Sequence, residues 1–310
     1  MSRAAWAIVA ERGSMAGMRF TVGFYRVCGR WLSEYFILPI VAYFFLTDPR
    51  GRRASRRYLA KLYAFPGGAQ ALDGPPTLRQ SFHHYREFGL VILDRVRFLL
   101  GAPDVELVFR GREHLTALIA AKRGAVLLGA HLGSFDALRL LAARTGVTVN
   151  VLMITRHAPR TNTVLERLNR DTRVHVIQSD PGNPDAVFHL KACVERGEFV
   201  AILGDRVAGG ARARVVRVPF LGQPAAFPQG PFLLAHALQC PIVLMIGVRR
   251  GPRTYEIFAE PLAERVFLPR AERKESLDAL VKRYAERLEA YCLSAPYQWF
   301  NFFDFWGEER

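Results

Sequence analysis

Cysteine is scarce in this chain, with four in 310 residues. Cys28, Cys193, Cys240 and Cys292 lie far apart and form no Cys-x-x-Cys pair, which excludes a disulfide framework and a thiolate zinc site and fits a reducing, cytosol-facing compartment. The eight histidines show no His-Glu-x-x-His spacing, so no metal is expected. No apolar run reaches the roughly 18–20 residues that cross a bilayer. The run at residues 35–46 stops short, and extending it backwards meets Glu34 and Arg30. A secretory signal is also missing, because the apolar stretch comes late and no small-residue cleavage site precedes a mature start. There are no internal repeats and no low-complexity tracts. Acidic residues are in deficit, with 28 Asp and Glu against 43 Lys and Arg, a net charge of +15.

What is present is a globular chain whose 50% hydrophobic content is ample for a large core. The charge points to a standing anionic partner: nucleic acid, anionic lipid or an acidic carrier protein. Residues 1–62 read as an N-terminal helical segment, with aromatic residues among arginines, then the apolar stretch, then Arg50, Arg52, Arg53, Arg56, Arg57 and Lys61. That pattern suits a membrane-associating helix lying in one leaflet with its arginines on lipid phosphates. A buried core helix and a single tilted span are the alternatives. Residues 63–310 read as one α/β domain. A helical pattern over 77–100 leads into short apolar runs at 105–109, 125–130, 147–154, 173–177, 199–204, 241–248 and 254–259, alternating with helical stretches. This alternation predicts a mainly parallel seven-stranded sheet flanked by helices, with functional loops at the carboxyl ends of its strands.

The most informative loop is His131-Leu132-Gly133-Ser134-Phe135-Asp136, directly after the apolar run 126–130. On a continuous helix His131 and Asp136 would stand about 140° apart, so they meet only if the chain bends. Gly133 supplies the bend, Ser134 reads as the N-cap and Asp136 falls in the first helical turn. In this reading Asp136 accepts the imidazole Nδ1–H, Nε2 becomes a general base for a hydroxyl, and N–H groups of the helix start receive a developing oxyanion. Ser134 lacks the Gly-x-Ser-x-Gly elbow of a nucleophile. Asp205 and Arg206 end another apolar strand at the same rim, and the following loop carries Gly209, Gly210, Arg212, Arg214 and Arg217, a candidate phosphate clamp. After the strand expected beside that of His131, Arg156 and Arg170 are the arginines best placed to face a phosphate or acyl-carrier group. Phe227, Pro228 and Gly230 belong to a proline-rich apolar turn, read either as a rigid buried connection or as a wall for an alkyl chain. The tail 297–306 is too aromatic to be loose, and either packs on the domain or meets a membrane interface.

His131–Asp136, then Gly204-Asp205-Arg206, then Phe220-Leu221-Gly222 with Phe227-Pro228-Gln229-Gly230-Pro231 resemble the ordered blocks of the bacterial lipid A biosynthesis acyltransferases, the lauroyl and myristoyl transferases of the lysophospholipid acyltransferase superfamily. Glu11-Arg12-Gly13-Ser14, the apolar helix and the ending from Trp299 to Phe303 are similar too, so the resemblance covers nearly the whole chain. It implies a glycerolipid acyltransferase-like fold at the cytoplasmic face of a bacterial inner membrane. It also implies a histidine and carboxylate that deprotonate an acceptor hydroxyl, which attacks an acyl-carrier-protein or coenzyme A thioester. No cofactor and no covalent acyl-enzyme are implied. One departure stands out: these enzymes usually carry glutamate where this chain has Asp136, whereas the broader superfamily uses aspartate, and this leaves the acceptor open among lipid A, other glycolipids and specialised lipids.

Two other readings compete. A nucleic-acid-binding protein would use the net charge, but no helix-turn-helix or zinc pattern appears and the aromatics follow no RNA- or DNA-binding signature. A lipid-binding protein of the same fold without catalysis would have no need of both His131 and its acid.

Overall fold

Short apolar runs separated by helices can bury both faces only as a sheet with helices packed on each side. A computed structural model describes residues 15–99, 105–138, 142, 146–153, 173–178, 184–207 and 214–307. Four helices come first: α1 (Met15–Thr47), α2 (Pro49–Ala64), the short α3 (Gly68–Ala71) and α4 (Leu78–Leu99). The strands are β1 (Glu106–Arg110), β2 (Val126–Gly129), β3 (Val149–Met153), β4 (Val174–Gln178), β5 (Phe199–Leu203), β6 (Val215–Phe220), β7 (Gln223–Pro228), β8 (Ile242–Arg249) and β9 (Thr254–Ala263). Further helices are α5 (Arg112–Ala120), α6 (Pro184–Glu195), α7 (Gly230–Leu238) and α8 (Arg273–Ser294).

Seven strands pair in the order β1-β9-β8-β2-β5-β3-β4, and every neighbouring pair is parallel except β8 with β9. These are the seven runs read from the sequence. One placement differs: β3 does not adjoin β2, because β5 lies between them. The strand period of two is visible in the packing. Val126 and Leu128 face a core shared with Val200, Ile242 and Leu244, while Leu127 faces the opposite core with Ala201 and Val243. Truncating a side chain as buried as Leu128 costs about 2–5 kcal/mol.

The proline-rich stretch expected as an irregular turn is the antiparallel hairpin β6–β7. Its two turn residues, Leu221 and Gly222, have φ of 49° and 76°, as two-residue hairpin turns require. Pro219 and Pro224 sit opposite each other. A ribbon of two strands is all edge, where proline is tolerated.

Helix α1 is broken at Gly29 and packs on α4 through Ile37 and Val41 against Tyr85 and Leu90. Its other side carries Val27, Trp31, Tyr35, Tyr43 and Leu46 in the open, Trp31 being 69% exposed. In α2, Tyr58, Leu59 and Leu62 are buried while Arg50, Arg53 and Arg56 are exposed. Among the described residues no helix is long and apolar enough to cross a membrane.

Candidate active site

Parallel neighbours in a sheet end at the same rim. β2 and β5 pair with Gly129 opposite Leu203, so residues two further along each strand, His131 and Asp205, come side by side. Asp205 Oδ1 accepts the His131 Nδ1–H at 2.7 Å. Its Oδ2 accepts the His131 backbone N–H at 2.9 Å and the Trp299 indole N–H at 3.1 Å. The Asp205 side chain is 1% exposed. Burial opposes its ionisation, but the charge of His131, the hydrogen bonds from His131 and the nearby Arg206 prevail and hold the carboxyl at about 2. An ionised carboxylate only accepts, so the proton of the neutral ring sits on Nδ1 and the lone pair is on Nε2. The imidazole keeps 29% of its surface exposed. Its pKa lies below the ordinary 6.5, first because of burial and then because of the Arg206 charge, with Asp205 pulling the other way.

This geometry corrects the expected partner of His131. Ser134 does cap the helix, its Oγ accepting the Ala137 N–H at 3.2 Å, and Asp136 does lie in the first turn. There its carboxylate faces α4 and accepts Arg95 Nε at 2.7 Å, while the acid on His131 comes from the next strand. The bend at Gly133 is present, with φ of 67°. A Cβ at that position would lie 2.0 Å from the Gly247 carbonyl oxygen, so close approach to β8 also demands glycine. Gly133 thus shapes the backbone of the loop. Ahead of the helix, the Gly133 N–H goes to the Gln298 carbonyl at 2.8 Å and the Ser134 N–H to the Gly247 carbonyl at 2.7 Å, so neither of these two is an oxyanion donor.

The aromatic tail holds this loop from the other side. The Phe300 N–H donates to the His131 carbonyl at 2.8 Å. The Gln298 side chain receives the Arg249 N–H at 2.9 Å and donates to the Arg249 carbonyl at 2.7 Å, fixing the tail to β8. Trp299 is fully buried against Tyr58, Phe220 and Phe305. Its carbonyl is 2.9 Å from His84 Nε2, and His84 Nδ1 is 3.0 Å from the Ser55 hydroxyl. Burial brings the His84 pKa down to about 3 despite the bond to Trp299, so the ring is neutral, donating from Nε2 and accepting at Nδ1. Arg206 donates to the Phe300 carbonyl at 2.7 Å and lies over the Phe303 ring.

His131, Asp205 and Arg206 are therefore brought together. Arg156, Arg170, Gly209, Gly210 and Arg212 lie outside the described residues. Phe227 is fully buried among Phe220, Tyr284 and Phe305, as the reading of a rigid buried connection has it. Pro228 ends β7 and Gly230 opens α7. Arg214 and Arg217 line, with Arg273 and Lys274, a separate basic groove of about 620 Å³ that contains none of the residues around His131. Among the described residues no group of three or more His, Cys, Asp or Glu is placed to hold a metal ion. Trp299, Gln298, His84 and Arg95 went unassigned in the sequence. The crowding of aromatic residues at 297–306 is the one signal for the first two; His84 and Arg95, on α4, have none.

A sequence model of the bacterial lipid A biosynthesis acyltransferases matches residues 80–307, which takes in the sheet, the His131 loop and the tail that locks it. The chain belongs to that family. No curated protein matches the chain directly. Membership makes the protein a lipid acyltransferase, and its match begins inside α4, so α1 and α2 lie ahead of the matched region.

Proposed function

We propose that this acyltransferase moves a fatty acyl chain from an acyl-carrier-protein or coenzyme A thioester to a hydroxyl of a lipid A-like or other lipid acceptor. His131 is its general base and Asp205 the residue that orients that base. The observation carrying this is the double grip of Asp205 on His131, at Nδ1 and at the backbone N–H. It fixes ring position and tautomer together and leaves Nε2 with no hydrogen bond to any described residue.

In the scheme, Nε2 takes the proton of the acceptor hydroxyl as its oxygen bonds to the thioester carbonyl carbon. The tetrahedral intermediate then collapses, the C–S bond breaks, and the departing sulfur takes the proton back from Nε2–H. The products are an ester and a free thiol. Arg206 disfavours the imidazolium in the resting enzyme, so the base is free at neutral pH, and its charge favours the negative charge that develops on the carbonyl oxygen. Neither a metal nor a prosthetic group enters the scheme.

Attachment is monotopic in this reading, at the cytoplasmic face of a bacterial inner membrane. The exposed stripe of α1 enters the leaflet and the arginines of α2 meet anionic headgroups. The net charge and the basic groove at Arg214 and Arg273 suit an acidic carrier as donor.

The test is His131→Gln in the full chain. Acyl transfer to a lipid acceptor is expected to vanish while the melting temperature and vesicle binding stay near wild type. Near wild-type turnover in that variant defeats the proposal. In the wild type, activity is expected to be flat at neutral pH and to fall only below the ordinary histidine value, since the folded base titrates lower.

A further inference from the structure

If the carboxylate five residues after the histidine does not serve the histidine, its partner needs a reason. On α4, His84, Phe88 and Arg95 stand four and seven residues apart, which places them on one face of the helix. His84 holds the Trp299 carbonyl, Phe88 packs on the ring of Phe300, and Arg95 reaches Asp136. That face of α4 therefore runs alongside the His131 loop, from the tail that holds it to the helix that leaves it.

Asp136 is 7% exposed and Arg95 32%. The carboxylate takes Arg95 at Nε, and no other hydrogen bond or ion pair joins Arg95 to a described residue. Its two terminal nitrogens make no such bond, on a side chain that is only half-buried. A guanidinium held this way presents a rigid donor edge suited to two phosphate oxygens, which a lysine in the same place would not reproduce. The adjacent Asp136 charge also keeps Arg95 firmly protonated.

We infer that Arg95 anchors a phosphate ester of one of the two substrates, and that Asp136 is the positioning residue that aims it. This rests on the acyl-transfer reading. The phosphate has two sources: the phosphopantetheine arm of the thioester donor, or a phosphorylated glycolipid acceptor. Either way the motif acid shapes recognition, and the chemistry at the base belongs to Asp205.

The experiment is steady-state kinetics of Arg95→Gln, Arg95→Lys and Asp136→Asn in the full chain. It uses acyl-coenzyme A against the phosphate-free acyl-N-acetylcysteamine thioester, and a lipid A precursor against its phosphatase-treated form. Losing a charge-assisted contact is expected to raise KM for one phosphate-bearing substrate about tenfold in Arg95→Gln, with kcat within about twofold and no change for its phosphate-free counterpart. Arg95→Lys is expected to recover only part of that loss. The substrate pair that responds identifies the source. Equal losses with and without phosphate, or a change confined to melting temperature and kcat, overturn the inference and leave a structural ion pair.

Calorimetric binding of coenzyme A and of the phosphorylated lipid to wild type and Arg95→Gln reads the anchor without turnover. A chain that binds through Arg95 but transfers no acyl group disproves the proposed reaction and keeps the anchor. A chain that transfers but binds both probes equally in wild type and variant disproves the anchor alone.

Discussion

The two ends of this chain look alike in composition and meet opposite fates. Residues 27–46 and 297–306 are both rich in aromatic and aliphatic side chains, and both are candidates for a membrane surface. The tail instead becomes part of the frame around the candidate site: Trp299 is fully buried and bonded at its indole to Asp205, at its carbonyl to His84, and flanked by Gln298 and Phe300, each tied to the His131 loop. Helix α1 buries one stripe against α4 and leaves the other in the open. What separates the two is hydrogen bonding. An extended tail offers backbone groups that must find partners, and the loop after β2 supplies them. A helix satisfies its own backbone, so its outer stripe is free to meet something else.

The comparison breaks most visibly at Trp299. Trp299→Ala is expected to destabilise the fold by about 3–5 kcal/mol, read by denaturant unfolding, whereas a cost under about 1 kcal/mol would show that the tail is not core. Acid titration sharpens the same point through His84. Its folded pKa of about 3 lies below the unfolded 6.5. The unfolded chain therefore takes the proton first, and the stabilisation present above pH 6.5 is lost as pH falls toward 3, by about 1.4 kcal/mol per pH unit. Replacing His84 with Gln is expected to flatten that slope.

Trp299→Phe keeps an aromatic ring but removes the indole N–H, with an expected stability cost of about 1–2 kcal/mol from the lost bond to Asp205 Oδ2, which retains the His131 N–H, and lower turnover. Full turnover would show that this bond does not position the acid. At the other end, Trp31→Ser with Tyr35→Ser is expected to change stability by less than about 0.5 kcal/mol while weakening binding to phosphatidylglycerol vesicles. Unchanged vesicle binding would remove α1 from the membrane.

The sheet was legible because apolar strands buried on both faces read as continuous runs between helices, as at residues 199–203 and 242–248. The histidine was legible because it follows such a run immediately. Its partner was not, since sequence spacing offered Asp136 and only strand order offers Asp205. With β5 placed beside β2, the two strand ends coincide; with β3 expected there, they do not. The hairpin β6–β7 was hidden by its prolines, and Arg95 by a helix whose facing neighbour is 41 residues away.

The central claim is that Asp205 governs the base and Asp136 does not. The direct measurement is the pH–rate profile of Asp205→Asn beside Asp136→Asn, using a saturating donor and acceptor. Asp205→Asn is expected to cut kcat by about a thousandfold or more by disturbing the tautomer and to shift the acid limb, while Asp136→Asn keeps the wild-type limb. A shifted limb in Asp136→Asn with an unaltered one in Asp205→Asn would contradict the account.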